Sequence, residues 1–410
     1  MRQSLPPLAD RGPLRVMFLI TSMPVGGAET LLVNLIRRLD RTRFLPELCC
    51  LKDRGPLGDI LAQEIPTFAN LLAGKYDLRI LARLARLLRE RRIDAVITVG
   101  AGDKMFWGRL AARRARVPVV VSALHSTGWP DGIGRLNRLL TPWTDAFVGV
   151  AEPHGRYLVE QEGLPAQKVR VISNGIDVGR FQPRGDRQAL RASLGFGPET
   201  PLAGIVAALR PEKNHELLLT VAQQVSPRVP GAKFLVVGDG PRRVALAALA
   251  QELGVSACVR FLGTRHDIPE LLAALDVFVL TSHVEANPVS ILEALACGTP
   301  VVATNVGSVG QSVIDGLTGH LVAPGDAVAM TEHLVRLLSD PNRAGALGAA
   351  GRQHVLAHGS LERMVAGYEQ LIEEIYASKV DRRWRRPRVR VGECPEQTIE
   401  QVASRSGGRS

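Results

Sequence analysis

Two glutamates stand eight positions apart in HVEANPVSILEALACGTPVV, residues 283–302: Glu285 and Glu293. Local chain signals predict how they are held. Asn287 is a good N-cap, and Pro288 suits the first position of a helix. The helix then runs from Val289 to about Cys297, with Gly298 just past its end and Pro300 blocking continuation. Glu285 is thereby placed just ahead of a helix N-terminus and Glu293 about two turns in. Free N–H groups and the helix dipole draw phosphates to such an end. A carboxylate can accept two hydrogen bonds from a vicinal diol such as a ribose. A phosphate, a ribose and a further hydroxyl-bearing group together describe a sugar nucleotide. A capped helix with two solvated glutamates would account for Glu285. It leaves Glu293 unexplained, because a carboxylate amid ILEALACG needs a partner.

Other candidates follow predicted strands. Arg210 and Lys213 lie in ALRPEKNH. Their plain reading is loop charge; their functional reading is two cations gripping a diphosphate, where fixed charge stabilises a leaving group as its own charge grows. Gly26 and Gly27 lie between the first strand and its helix and permit close backbone approach to a phosphate, though a tight βα turn would use them equally. The chain has no GxGxxG, which argues against a dinucleotide fingerprint. GDGPRR (238–243) reads as a βα turn without an assigned role. A lone histidine is more often structural than catalytic; His125, in VSALHSTGWP, is a candidate because it follows a strand's carboxyl end. The five cysteines show no CxxC pairing and no histidines at metal spacing, so they read as reduced packing residues.

The elements that must position these groups alternate. Predicted strands at 14–20, 47–51, 95–99, 117–122 and 146–150, and again at 203–208, 233–237, 259–262, 277–281 and 300–304, are separated by helical-period segments. Near-continuous Val/Ile/Leu strands of this kind predict parallel sheets covered by helices, an α/β architecture of two doubly wound domains. The Gly-, Pro- and Arg-rich stretch 174–200 interrupts the series and reads as a linker. The domains are therefore expected at 1–173 and 201–360, with a terminal helix at 361–377 and a basic, disordered tail at 378–410. A ligand site is expected beyond the strands' carboxyl ends, in the cleft between the domains. Neither a signal-peptide pattern nor a run of 18 apolar residues is present, so a cytoplasmic location is expected.

EANPVSILE resembles the E-x7-E motif of the retaining glycosyltransferases of family 4 (bacterial-type group 1), which have the GT-B fold. LACGTPVVATNVG and DGLTGHLVAPGD continue the likeness, and GGAE (26–29), NGID (174–177), ALRPEKNH (208–215), VVGDGP (236–241) and DIPELLAALDVFVLTS (267–282) match in order. The resemblance covers roughly residues 14–377, the carboxyl half more closely. It implies two Rossmann-like domains facing across a cleft, the first binding the acceptor and the second a nucleotide-diphosphate sugar, UDP- or GDP-linked. It implies that Gly26, Gly27, Arg210, Lys213, Asn287, Pro288, Val289 and Glu293 bind the donor. Glu285 and His125 would act at the reacting sugar. It implies retention of anomeric configuration and a glycan or lipid-linked acceptor, as in cell-surface polysaccharide or glycolipid biosynthesis. No metal or other cofactor is expected, because Arg210 and Lys213 take a metal's place. Ala151 before Glu152 departs from the expected Ser-Glu pair. The rival expectations are a sugar-nucleotide epimerase, an inverting transferase or an idle nucleotide-sugar-binding scaffold.

The formal net charge is +11. Seven cations and Trp384 lie in KVDRRWRRPRVR (379–390), and arginines recur at helical spacing in LRILARLARLLRERRID (78–94). The plain reading of the latter is a surface helix with a solvated face. Both clusters suit an anionic membrane surface. Nucleic acid is not an expected partner, since aromatics make up 4% of the chain and no recognition motif is present.

Overall fold

The computed structural model describes residues 5–74, 77–100, 102–125, 134–183 and 187–384. Most of the expected tail, 385–410, lies outside these residues.

A first sheet is built from β1 (Leu14–Ile20), β2 (Phe44–Cys50), β3 (Thr67–Phe68), β4 (Ala95–Val99), β5 (Val119–Leu124), β6 (Ala146–Gly149) and β7 (Val169–Val171). Its order is β3-β2-β1-β4-β5-β6-β7, and every pairing is parallel. A second parallel sheet, β10-β9-β8-β11-β12-β13, uses β8 (Leu202–Val206), β9 (Lys233–Val237), β10 (Val259–Gly263), β11 (Val277–Leu280), β12 (Val301–Thr304) and β13 (Gly319–Val322). Helices cover the sheets, so central strands such as β4 and β11 are buried at every position. Strand order reverses between β1 and β4 in one sheet and between β8 and β11 in the other, which opens a crevice at each sheet's carboxyl edge.

Six helices matter for the site and its surroundings: α1 (Gly27–Arg38), α2 (Ile80–Glu90), α3 (Asp103–Ala115), α4 (His215–Val225), α5 (Val289–Ala296) and α6 (Leu361–Trp384). All ten expected strands are present with boundary shifts of a few residues. The short strands β3, β7 and β13 were not expected. β3 and β7 have two and three residues and no fully buried position, so they carry no apolar run.

Much of the expected linker packs onto the second domain. Ile176, Phe181 and Phe196 enter its core, and buried Arg191 donates to the carbonyls of Ala274, Pro198 and Thr200 and to Asp276. Helix α6 crosses back to the first domain, where Leu361, Met364, Tyr368, Ile372 and Tyr376 join the core beside β1 and α1. It does not end at 377. Lys379 Nζ donates to Asp145 Oδ2 at 2.6 Å and Val380 is buried, and the helix continues to Trp384. The expected disorder from 378 is corrected for these seven residues.

Candidate active site

The site forms where β8 and β11 end. Arg210 leads into a single 3-10 turn, Pro211–Lys213, and Asn214 at φ 48° turns the chain into α4. This loop is sewn to the segment after β11: Thr281 Oγ1 donates to the Lys213 carbonyl at 2.9 Å, and the His283 amide donates to the Glu212 carbonyl at 2.9 Å. Lys213 Nζ donates to Glu285 Oε1 at 2.5 Å, and Ser282 Oγ donates to the same oxygen at 2.6 Å. Glu285 is 8% exposed, so its carboxylate is fixed by two donors largely out of water.

The backbone around Glu285 is also held from β12. Thr304 Oγ1 donates to the Ser282 carbonyl at 2.7 Å, and Ser308 Oγ donates to the Ala286 carbonyl. Gly307, at φ 55°, approaches so closely that a β-carbon there would lie 1.6 Å from the Glu285 carbonyl oxygen. None of Ser282, Thr304, Gly307 or Ser308 was singled out from the sequence. The hydroxyl-to-carbonyl bonds of Thr304 and Ser308 join segments 22 residues apart and have no spacing that a sequence displays.

Asn287 corrects the sequence reading. It is not the N-cap of α5; Pro288 takes that position and Val289 is the first helical residue. Asn287 instead ties the domains together: its Nδ2 donates to the Val150 carbonyl at 2.7 Å, and its own carbonyl accepts from Asn174 Nδ2 at 3.3 Å. Its Oδ1 is buried and makes no hydrogen bond among the described residues. Val289 packs against the cores of both domains. The expected end of α5 is met, with Cys297 as C-cap and Gly298 at φ 78°. Glu293 is half-buried on α5, and burial pushes its carboxyl up to about 7 against the pull of Arg180.

Arg210 is exposed, 4.0 Å from Glu212, and stands apart from the Lys213–Glu285 pair. Across the cleft, Gly26 is the N-cap residue of α1 and Gly27 its first residue. Arg210 is near enough to this end to act electrostatically on Glu29 in the first turn of α1. His125 stands at the end of β5, beside an apolar hollow lined by Phe18, Leu35, Ile97 and Tyr368. Burial, with His154 and Lys104 nearby, lowers its pKa to about 4, so the imidazole is neutral at physiological pH. The Glu152 amide donates to Gln311 Oε1 at 3.2 Å, a further bond between the domains.

Two doubly wound domains, a cationic loop after the first strand of the second domain and a clamped glutamate after its fourth define a GT-B glycosyltransferase. The family comparisons agree. Residues 186–354 match the model for glycosyl transferases group 1, and residues 25–180 match that for glycosyltransferase family 4. The chain is 33% identical over 297 residues to a GDP-mannose-dependent monoacylated alpha-(1-6)-phosphatidylinositol monomannoside mannosyltransferase of Corynebacterium glutamicum, covering 68% of this chain and 76% of that one. It is 28% identical over 336 residues to the UDP-Gal:alpha-D-GlcNAc-diphosphoundecaprenol alpha-1,3-galactosyltransferase of Escherichia coli, covering 78% and 86%. Among solved structures, Alr3699/HepE of Anabaena in complex with UDP and glucose superposes with a TM-score of 0.76 at 25% identity, over 89% of this chain and all of that one. The chain belongs to glycosyltransferase family 4.

Proposed function

We propose that the protein transfers a sugar, with retention of anomeric configuration, from a UDP- or GDP-sugar to a glycan or lipid-linked acceptor in cell-surface polysaccharide or glycolipid biosynthesis. The observation that carries this reading is the Lys213–Glu285 pair: a cation and a carboxylate 2.5 Å apart at the carboxyl ends of β8 and β11. Lys213 and Arg210 grip the diphosphate and stabilise the charge it gains on leaving. Glu285 orients the sugar hydroxyls and supports positive charge at the anomeric carbon. Glu293 holds the ribose diol. The backbones of Gly26 and Gly27, and of Asn287, Pro288 and Val289 at the start of α5, approach the donor's phosphates and sugar. Neutral His125 offers an uncharged hydrogen bond to the sugar or its phosphate. The acceptor attacks from the face that the nucleotide leaves, and the departing phosphate takes the acceptor's proton.

Lys213 and Arg210 together supply the positive charge a metal would, and we propose that no metal or other cofactor takes part. The relatives support the substrate class: one uses GDP-mannose and acts on a phosphatidylinositol mannoside, another uses UDP-Gal and acts on a diphosphoundecaprenol-linked sugar. Nucleic acid is not a partner on this reading, and the enzyme works in the cytoplasm at the membrane face. Among the described residues, no helix is long and apolar enough to cross a membrane.

The anomeric configuration of the product, read by proton NMR with UDP- and GDP-sugars as donors, tests the proposal. An inverted product assigns an inverting transferase, a free epimerised sugar nucleotide assigns an epimerase, and neither transfer nor donor hydrolysis assigns an idle scaffold.

A further inference from the structure

We propose that Glu29 fills the seat of the donor's distal phosphate in the empty enzyme and is displaced when the donor binds. It would thus set donor affinity from the wall of the cleft opposite Glu285. The inference rests on the reading above, which gives Gly26, Gly27 and Arg210 to the diphosphate.

Glu29 is the third residue of α1 and folds back over the residue that caps it. A β-carbon on Gly26 would lie 2.4 Å from Glu29 Oε2, so the carboxylate covers the backbone that a phosphate would approach. The helix has 12 residues, and its first-turn amides are the donors an anion would use. Burial pushes this carboxyl above its ordinary value, opposed by a bond from its own amide and then by the pull of Lys104 at the start of α3 and Arg210 from the second domain. Lys104 lies over Gly100 at the end of β4, where a β-carbon would come within 2.8 Å of its Cε. Glu29 follows β1 and Lys104 follows β4, the two strands between which the first sheet reverses its order. A carboxylate folded over the N-terminus of a helix, in a switch-point crevice and under the pull of Lys104 and Arg210, is an anion in an anion's place. A phosphate needs the same amides and the same cations, and two anions cannot share them.

The rival is a capping role, since a glutamate three residues past an N-cap can bond back to it and stabilise the helix alone. Titration calorimetry of the intact chain separates the two. UDP-glucose and GDP-mannose are measured in parallel, without acceptor, against wild type, Glu29→Gln, Glu29→Ala and Arg210→Ala, with uridine and guanosine as phosphate-free controls. Removing a competing charge of this kind is expected to tighten the nucleotide sugar by about tenfold in Glu29→Gln, with nucleoside binding unchanged. Glu29→Ala should tighten it too, whatever it does to the melting temperature. Unchanged or weaker nucleotide-sugar binding in both Glu29 variants, beside a weakened Arg210→Ala, overturns the inference and leaves the diphosphate reading standing. If donor affinity is unchanged and a separate steady-state assay with acceptor gives a raised acceptor KM, the inference is overturned and Glu29 moves to the acceptor. Unchanged affinity in Arg210→Ala, or no binding of either sugar nucleotide by wild type, removes the diphosphate reading and this inference with it.

Discussion

Lys213 and Glu285, 72 residues apart in the chain, meet at 2.5 Å between Nζ and Oε1. Each therefore holds the other in place in the absence of substrate. Lys213→Ala is expected to lose about tenfold or more in UDP or GDP affinity, the worth of a charge-assisted bond of roughly 1.5–3 kcal/mol. It should also lower kcat, because Glu285 would keep Ser282 but lose its cation. Arg210 is exposed and makes no bond to Glu285, so Arg210→Ala should cost nucleotide affinity and lower kcat less, because Glu285 stays held. Equal kcat losses in the two variants would contradict this division; nucleotide titration and steady-state kinetics read it directly.

Gly307 supports the same pair from behind. Alanine there would meet the Glu285 carbonyl at an impossible distance and would also adopt a left-handed backbone, which alone costs about 1–2 kcal/mol. Gly316 shares the left-handed backbone, at φ 74°, but faces open space. Gly307→Ala should therefore lower both thermal stability and kcat, whereas Gly316→Ala should lower stability alone. Scanning calorimetry beside an activity assay compares them. Full activity in Gly307→Ala would show that the Glu285 backbone need not be held where it is.

Glu285 and Glu293 should separate kinetically. Glu285→Gln keeps the shape but removes the charge that matters as positive charge develops at the anomeric carbon, so kcat should fall most. On the proposed reading Glu293→Gln weakens only a ribose contact, so the donor KM should rise most. Parallel changes in KM alone for both variants would remove the distinction.

Burial raises the Glu293 carboxyl to about 7 in the empty protein. The folded state therefore keeps a proton that the unfolded chain has already released above its ordinary value of roughly 4.3. Stability contributed by this group is greatest below that value and falls as pH rises through about 7. Glu293→Gln, which cannot ionise, should melt higher than wild type at pH 8 and close to it at pH 4.5. A melting curve that is lower at pH 8 would show that the carboxylate is stabilised by a partner, with Arg180 the group to examine.

Much of this arrangement was legible from the chain because it rests on short-range signals. Buried central strands announce themselves as apolar runs, and Gly298 with Pro300 marks the end of α5. Asn287 was misread because capping preference is local, whereas its amide bonds to Val150 in the other domain, 137 residues away. The same limit hid Thr304 and Ser308, whose hydroxyls bond to carbonyls brought near by the sheet, and Ser282, whose hydroxyl bonds to the Glu285 carboxylate three residues on. Lys379 and Val380 were assigned to a tail by composition, and only their packing on the first domain extends α6.

That extension changes how membrane association must be tested. Helix α2 buries Ile80, Leu84, Ala85 and Leu88 and turns Arg79, Arg83, Arg86 and Arg89 outward. Arg83 is engaged by the Leu71 carbonyl and Asp77, so its removal would disturb a loop as well as a charge. Arg79 is exposed, and Arg86 reaches only Glu90 in the next turn among the described residues, a surface pair of small energetic weight. Leu78 beside them is 73% exposed, which gives the basic face an apolar edge. Each cation near an anionic leaflet contributes about 1 kcal/mol, so a few suffice for reversible recruitment. The expectation is salt-sensitive binding to vesicles rich in anionic lipid, weakened in Arg79→Gln/Arg86→Gln and weakened further when the chain is also cut after Trp384, which leaves the contacts of Lys379 and Val380 intact. Co-sedimentation at low and at high salt measures it. If intact protein, the double variant and the shortened chain all remain in solution at low salt, the arginine face is solvated and the acceptor must be reached without the membrane's help.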